Sequence, residues 1–224
     1  MNTALLRRVY RTHKIKKKKY RWFKQAKGMT QEVLNQKLAT MKRQLTMAKN
    51  EGYRMIYLDE TMFTRKTVRN EEWTRQGENV QVDLAKLDEP TLAMVCGISL
   101  EKGLEHFKIY PKSVKKESFV EYLKELREHT RGEKVCLFLD NLTAHTSDFS
   151  KTAMREMGYR WAWNVPYSPE YNPIELVFSK VKDKFRRLRA QKLVGLRQES
   201  HEALVEMAWK SVRKQDVVNC IKHV

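Results

Sequence analysis

Apolar residues change their spacing along the chain, and each change marks an element. Leu5, Leu6 and Val9 form a short helical pattern. Between 30 and 50, Val33, Leu34, Leu38, Met41, Leu45 and Ala48 recur at helical spacing and predict an amphipathic helix. After Gly52 the pattern becomes strand-like: YRMIYLD (53–59) is a β-rich run that ends on an acid. Residues 61–90 are polar and irregular, with Trp73 and Gly77 in their middle. TLAMVCGIS (91–99) and LEHFKIY (104–110) predict two strands joined as a hairpin across Glu101, Lys102 and Gly103. Phe119, Val120, Leu123 and Leu126 fall on one face of a helix over 117–129. KVCLFLD (134–140) is continuously apolar, as a strand covered on both sides must be. Thr146 or Ser147 can cap a helix running to about Met157, where Gly158 stops it, and YRWAWNV (159–165) reads as a strand. PYSPEYNP (166–173) is a stiff loop with three prolines. A long helix then starts at Pro173, with Ile174, Val177, Phe178, Val181, Phe185 and Leu188 on its buried stripe, and a last helix covers 200–213. This order predicts a mixed α/β sheet with helices on both faces and no internal repeat.

Charge divides the chain in two. Its 224 residues carry a net charge of +18. Residues 1–50 hold fifteen Lys or Arg against one acid, Glu32, whereas 51–224 are nearly balanced. We therefore expect a basic N-terminal segment, 1–50, and a folded domain, 51–224. A basic arm attracts a polyanion. No apolar stretch approaches membrane-spanning length and the N-terminus lacks a signal-peptide centre, so a membrane is not the expected partner. Nucleic acid is. Lys16, Lys17, Lys18, Lys19 and Arg21 interleave with Tyr20, Trp22 and Phe23, which suits phosphate contact and base stacking, although such aromatics can also pack onto the main domain. In a eukaryote the same lysine run would serve as a nuclear import signal; otherwise a cytoplasmic or nucleoid location is expected. Cys96, Cys136 and Cys220 form no CxxC pair, and Cys96 and Cys136 sit in apolar runs where a free thiol is a small buried hydrophobe, which points to a reducing compartment without structural zinc or disulfides.

Asp59 and Asp140 each follow an apolar strand run, although aspartate is a poor strand former. In open α/β sheets ligands bind beyond the carboxyl ends of the strands. Two carboxylates there repel unless a divalent cation neutralises them, and oxygen ligands select magnesium or manganese. Either aspartate can instead begin a turn or cap a helix. Glu175 is open to a capping reading too: Asn172, Pro173 and Glu175 are close to a capping box at a helix start. It also lies one turn before Phe178, at the edge of the apolar stripe, which would lean it toward the sheet. Three such acids can hold two cations about 4 Å apart for in-line phosphodiester displacement.

LDE (58–60), LDNLTAH (139–145) and PYSPEYNPIELVFSKVK (166–182) resemble the catalytic domain of mariner-superfamily DDE transposases, in the branch shared with insertion sequences. Thirty-four residues separate Asp140 from Glu175, similar to the Asp-Asp-Glu members, and Trp73 followed by Gly77 resembles a further signature. The resemblance covers roughly 53–190. It implies an RNase H-like fold with a mixed five-stranded sheet, and Asp59, Asp140 and Glu175 as catalytic acids binding two Mg2+ or Mn2+ ions. It also implies cleavage at transposon ends with strand transfer into target DNA at TA sites, a homodimer, and Asn141, His145, Asn172 and Pro173 as near-site positions. For His145 the plainer expectation is a loop residue bonding backbone. Family members carry two helix-turn-helix units ahead of the catalytic domain; LLRRVYRTHKIKKKKYRWF resembles the tail of the second. Sequence-specific recognition of transposon ends is therefore not expected of this chain alone; a fragment, the product of a split or frameshifted gene, and a domesticated remnant that relies on a partner are the open alternatives. Lys180, Lys182, Lys184, Arg186, Arg187 and Arg189 are expected to track DNA phosphates or to form a solvated helix face. Competing readings are a catalytically silent, domesticated DNA-binding protein and a nuclease without joining activity.

Overall fold

A computed structural model describes residues 3–13, 30–64, 66–67 and 89–224. Lys16 to Lys19, Arg21, the aromatics among them, Trp73 and Gly77 lie outside the described residues. Helices α1 (Thr3–Thr12) and α2 (Gln31–Asn50) precede strand β1 (Arg54–Phe63). The hairpin strands β2 (Leu92–Ser99) and β3 (Gly103–Pro111) follow, then α3 (Lys116–His129) and β4 (Val135–Leu139). A single turn, α4 (Thr143–Thr146), leads to α5 (Asp148–Glu156) and β5 (Arg160–Trp163). The chain continues into α6 (Ile174–Leu193), α7 (His201–Lys210) and α8 (Lys214–His223). Among the described residues, no helix is long and apolar enough to cross a membrane.

The five strands form one mixed sheet in the order β3-β2-β1-β4-β5, antiparallel through the hairpin and parallel from β1 to β5. Strand alternation sorts the core. Ile56, Leu58, Leu137 and Leu139 pack with Phe119, Leu123 and Leu126 of α3 and Met154 of α5. Met94, Cys96 and Ile98 face the other side, under Val177, Phe178, Val181 and Phe185 of α6, Leu204 and Trp209 of α7 and Val217 of α8. Toward β5, Met41 and Ala48 of α2 bury Phe138 and Ala162. All five residues of β4 are buried, as its unbroken apolar run requires. The three cysteines are free and buried.

The hydrogen-bond register shifts between Cys96 and Ile98, and Gly97 sits in that irregularity. A Cβ there would meet Ile56 Cγ2 and Leu58 Cδ2 at 3.0 Å and the Tyr122 hydroxyl at 3.2 Å. The glycine is what lets β1 and α3 approach β2 so closely.

Two expectations need correction. β1 does not end on Asp59 but continues to Phe63, because Asp59 to Phe63 keep pairing with Cys96 to Leu92 of β2. The helix expected over 200–213 is α7 alone, ended at Ser211, and α8 follows as a separate helix. Its sequence opens on polar residues, and its anchors, Val217, Cys220 and Ile221, are too few to show a stripe.

Candidate active site

The parallel ladder between β1 and β4 stops at Tyr57 and Phe138, while β1 runs on beside β2. A crevice therefore opens between β1 and the end of β4. The same register carried two residues further sets Asp59 opposite Asp140. Asp59, Asp140 and Glu175 line one open cleft of about 420 Å³, together with Asn141, Leu142, Asn164, Tyr167 and Asn172.

Each acid is held differently. Asp59 Oδ1 accepts from the Glu60 backbone N–H at 2.8 Å, and Oδ2 accepts from Nδ2 of buried Asn172 at 3.1 Å. Burial and the charges of Glu60 and Asp140 push the Asp59 carboxyl up to about 8. Asp140 Oδ1 accepts from the Leu142 N–H at 3.0 Å and from His145 Nδ1 at 2.7 Å. Burial would raise this carboxyl, but His145 outweighs it and holds Asp140 below its ordinary range. Glu175, in the first turn of α6, faces the cleft with its side chain exposed. Partial desolvation raises it and the Asp140 charge adds to that, against the pull of Lys182.

His145 is fully buried, its ring 4.3 Å from that of Phe119, and it bridges two acids: Nδ1 to Asp140 and Nε2 to Glu60 Oε1, each at 2.7 Å. It therefore bonds carboxylates, and the expectation that it bonds backbone is wrong. Burial opposes a charge on the ring, yet the two carboxylates hold it protonated up to about 10. Among the described residues, Glu60, Asp140 and His145 form a group of ligand-type atoms within 4.8 Å of one another. That proximity is explained without an ion, because an imidazolium donates both N–H groups and keeps no lone pair for a metal. Asp59, Asp140 and Glu175 have the better donor set. Asp140 Oδ2 and both Glu175 oxygens have no protein hydrogen bond among the described residues, and the half-buried Asp59 shares the cleft with them. Hard carboxylate oxygens sharing such a cleft fit magnesium or manganese.

Asn172 serves both the start of α6 and the cleft. Pro173 occupies the position before the helix, Asn172 Oδ1 accepts from the Ile174 N–H at 3.5 Å, and Asn172 Nδ2 donates across to Asp59 Oδ2. The Glu175 carboxylate has no bond back to the Asn172 N–H among the described residues, so no capping box is closed. Asn141 Nδ2 donates to the Asn164 carbonyl at 2.6 Å, tying the β4 and β5 loops together. The pattern did not single out Glu60 or Asn164. For Glu60 the available signal was strand alternation, which turns it away from Asp59 and onto the apolar face shared with Ile56 and Leu58. Asn164 had no such signal; its role rests on its backbone bond to Leu139 and its side-chain bond to the Ser168 carbonyl.

The basic positions separate. Lys180 pairs with Asp216 at 3.5 Å and Arg186 with Asp183 at 3.1 Å, while Lys184 and Arg187 are exposed. Lys182 is half-buried near Glu175, and desolvation lowers it. Arg189 is not on a DNA-facing surface. It is 1% exposed because it follows the stripe of Phe185 and Leu188 into the core, where it donates to the Thr64 carbonyl and lies 3.4 Å from Glu89.

A mixed sheet with acids gathered where two strands part, covered by helices on both faces, is the architecture of RNase H-like nucleases. The family profile of DDE superfamily endonucleases matches residues 54–197, and the chain belongs to this family. It shares the fold of the Mos1 transposase paired-end complex with left transposon end, at a TM-score of 0.66 and 14% identity, covering 98% of this chain and 66% of that one. The Mos1 mariner paired-end complex with Mg gives a TM-score of 0.62 at 13% identity, covering 98% and 66%. The catalytic domain of Mos1 mariner transposase gives 0.57 at 12% identity, covering 90% and 91%. The chain thus spans just under two thirds of the first of these transposases and nearly all of the isolated catalytic domain. No match is found among curated protein sequences.

Proposed function

We propose that this chain is the catalytic part of a cut-and-paste DNA transposase, cleaving DNA at transposon ends and joining the freed 3′-hydroxyl to target DNA. The observation that carries this reading is the convergence of Asp59, Asp140 and Glu175 on one cleft, from β1, the end of β4 and the start of α6. Asp59, Asp140 and Glu175 would hold two magnesium or manganese ions. Bound there, the ions supply an activated water or 3′-hydroxyl and a stabilised leaving oxygen.

The protein's own share is positioning. Asn172 fixes Asp59 from the α6 side. The His145 imidazolium holds Asp140 by one oxygen, and the other would be available to hold a cation. Glu175, the exposed acid, closes the set from the helix. The partners we propose are double-stranded DNA and a second copy of the chain. The Mos1 structures with a transposon end and with Mg support the DNA and metal assignments by likeness of fold. TA target choice belongs to the same proposal.

The test is magnesium-dependent cleavage and strand transfer on linear DNA with 3′-hydroxyl ends, run beside Asp140→Asn. Wild type should nick and join, and Asp140→Asn should lose both. Equal activity in the two sinks the metal assignment. Nicking without joining by wild type turns the reading into a nuclease, and DNA binding with neither activity into a silent DNA-binding protein.

A further inference from the structure

Beside its acids, the cleft presents two large apolar side chains to solvent. Tyr167 is 69% exposed and Leu142 44%, and both line the cleft with Asp59, Asp140 and Glu175. They come from separate loops, Leu142 just after β4 and Tyr167 between β5 and α6.

Tyr167 is also held in an unfavourable backbone conformation. Its φ is 59°, the left-handed region that suits glycine and penalises a residue with a Cβ. The loop around it is pinned. Asn164 Nδ2 donates to the Ser168 carbonyl at 2.9 Å, and Asn164 Oδ1 accepts from the Val165 N–H at 2.7 Å. Pro166 and Pro169 stiffen either side. An exposed aromatic ring on a strained, rigid loop is not what stability selects; such an outlier beside a cleft points to a ligand. Carboxylates and their cations answer to phosphate. A flat apolar ring answers to the face of a nucleobase.

We propose that Tyr167, with Leu142 contributing from the second loop, stacks on the nucleobase adjoining the phosphodiester held at Asp59, Asp140 and Glu175, so that this base leaves the helical stack. The proposal rests on the DNA-processing reading of the cleft. It makes the site selective for ends whose last nucleotide is unpaired or readily unpaired. It adds little base preference, because every base offers a π-face.

The experiment measures binding of the full chain, with calcium in place of magnesium, to a DNA duplex bearing one unpaired 3′-terminal nucleotide and to its abasic counterpart. Wild type should prefer the base-bearing end by about tenfold, within the range of one base–aromatic stack. Tyr167→Phe should keep the preference. Tyr167→Gly should lose it without lowering the unfolding temperature, since glycine accepts the positive φ. A wild type without the preference, or a Tyr167→Gly that retains it, overturns the proposal. This readout needs no cleavage, so the two readings fail separately. Wild-type cleavage without base preference removes the stacking idea only, and base preference with a fully active Asp140→Asn removes the metal assignment only. Absence of DNA binding removes both.

Discussion

Glu60 Oε1 lies 2.7 Å from His145 Nε2, on the opposite side of β1 from its neighbour Asp59. Two consecutive acids would repel if both faced the cleft. The strand pleat turns them to opposite faces, and His145 takes up the charge of the second. The same ring then fixes Asp140. A buried imidazolium between two carboxylates thus couples β1 to the end of β4 at the point where their backbone ladder stops.

Removing that ring leaves two carboxylates without a counter-charge. His145→Ala is expected to lower stability by about 3 kcal/mol, the usual cost of breaking a buried ion pair. Adding Glu60→Gln should recover part of the loss, so the two changes combine less than additively in a urea-denaturation cycle. Strict additivity would mean that the bridge carries no energy.

Asp59 gives a pH signature in metal-free protein. Its folded-state pKa, about 8, lies above the ordinary 3.8, so between these values the folded state binds a proton that the unfolded state lacks. Stability should therefore fall as pH rises through that window. Asp59→Asn should flatten the fall in denaturation curves recorded with a chelator. Added magnesium should raise the wild-type unfolding temperature most at the alkaline end and should raise that of Asp59→Asn much less.

A second buried cluster predicts the opposite slope. Glu89 contacts His201 and Lys192 at 2.7 Å and lies 3.4 Å from Arg189. Burial would raise its carboxyl, but Lys192, His201 and Arg189 together hold it below the ordinary 4.5. Glu89→Gln is expected to cost about 2–3 kcal/mol near neutral pH. Because the folded pKa is depressed, this contribution is present above 4.5 and is lost as pH falls through the lower folded value. Wild type and variant should therefore converge in acid. A constant gap would show that charge is not the cause.

Gly97→Ala should destabilise by about 1–3 kcal/mol through overpacking against Ile56, Leu58 and Tyr122. Circular dichroism should show the fold retained with a lower unfolding temperature. An unchanged temperature would mean that those side chains give way freely.

Lys184 and Arg187 are exposed on α6 and have no acidic partner among the described residues. If they contact phosphate, replacing each by Glu should weaken DNA binding and reduce the salt slope by about 1. A slope unchanged by either charge reversal makes them an ordinary solvated face.

Periodicity carried most of the fold because each face of the sheet is covered. The apolar alternation of β1 and the solid run of β4 reported their burial directly, as did the stripe of α6. What failed was local. Asp59 looked like a strand terminus, but antiparallel pairing to a partner far along the chain carries β1 onward. Arg189 looked like one more cation, because a single sequence does not show the acid at position 89 that accepts it. The candidate acids were visible as apolar runs ending on aspartate and as a motif. The bridge beneath them was not, since it joins residues 85 positions apart.

The divergence of β1 and β4 also means that the three acids are indexed by different devices. Asp59 is placed by strand register, and a slip of one residue in β1 would send it to the wrong face. Glu175 is placed by the loop from β5, which Asn164 ties to Leu139 and Ser168 and which Asn172 ties to Asp59. Residues inserted or deleted between Trp163 and Pro173 would break those bonds while leaving the sheet intact. Side-chain amides thus do for the third acid what the backbone ladder does for the first.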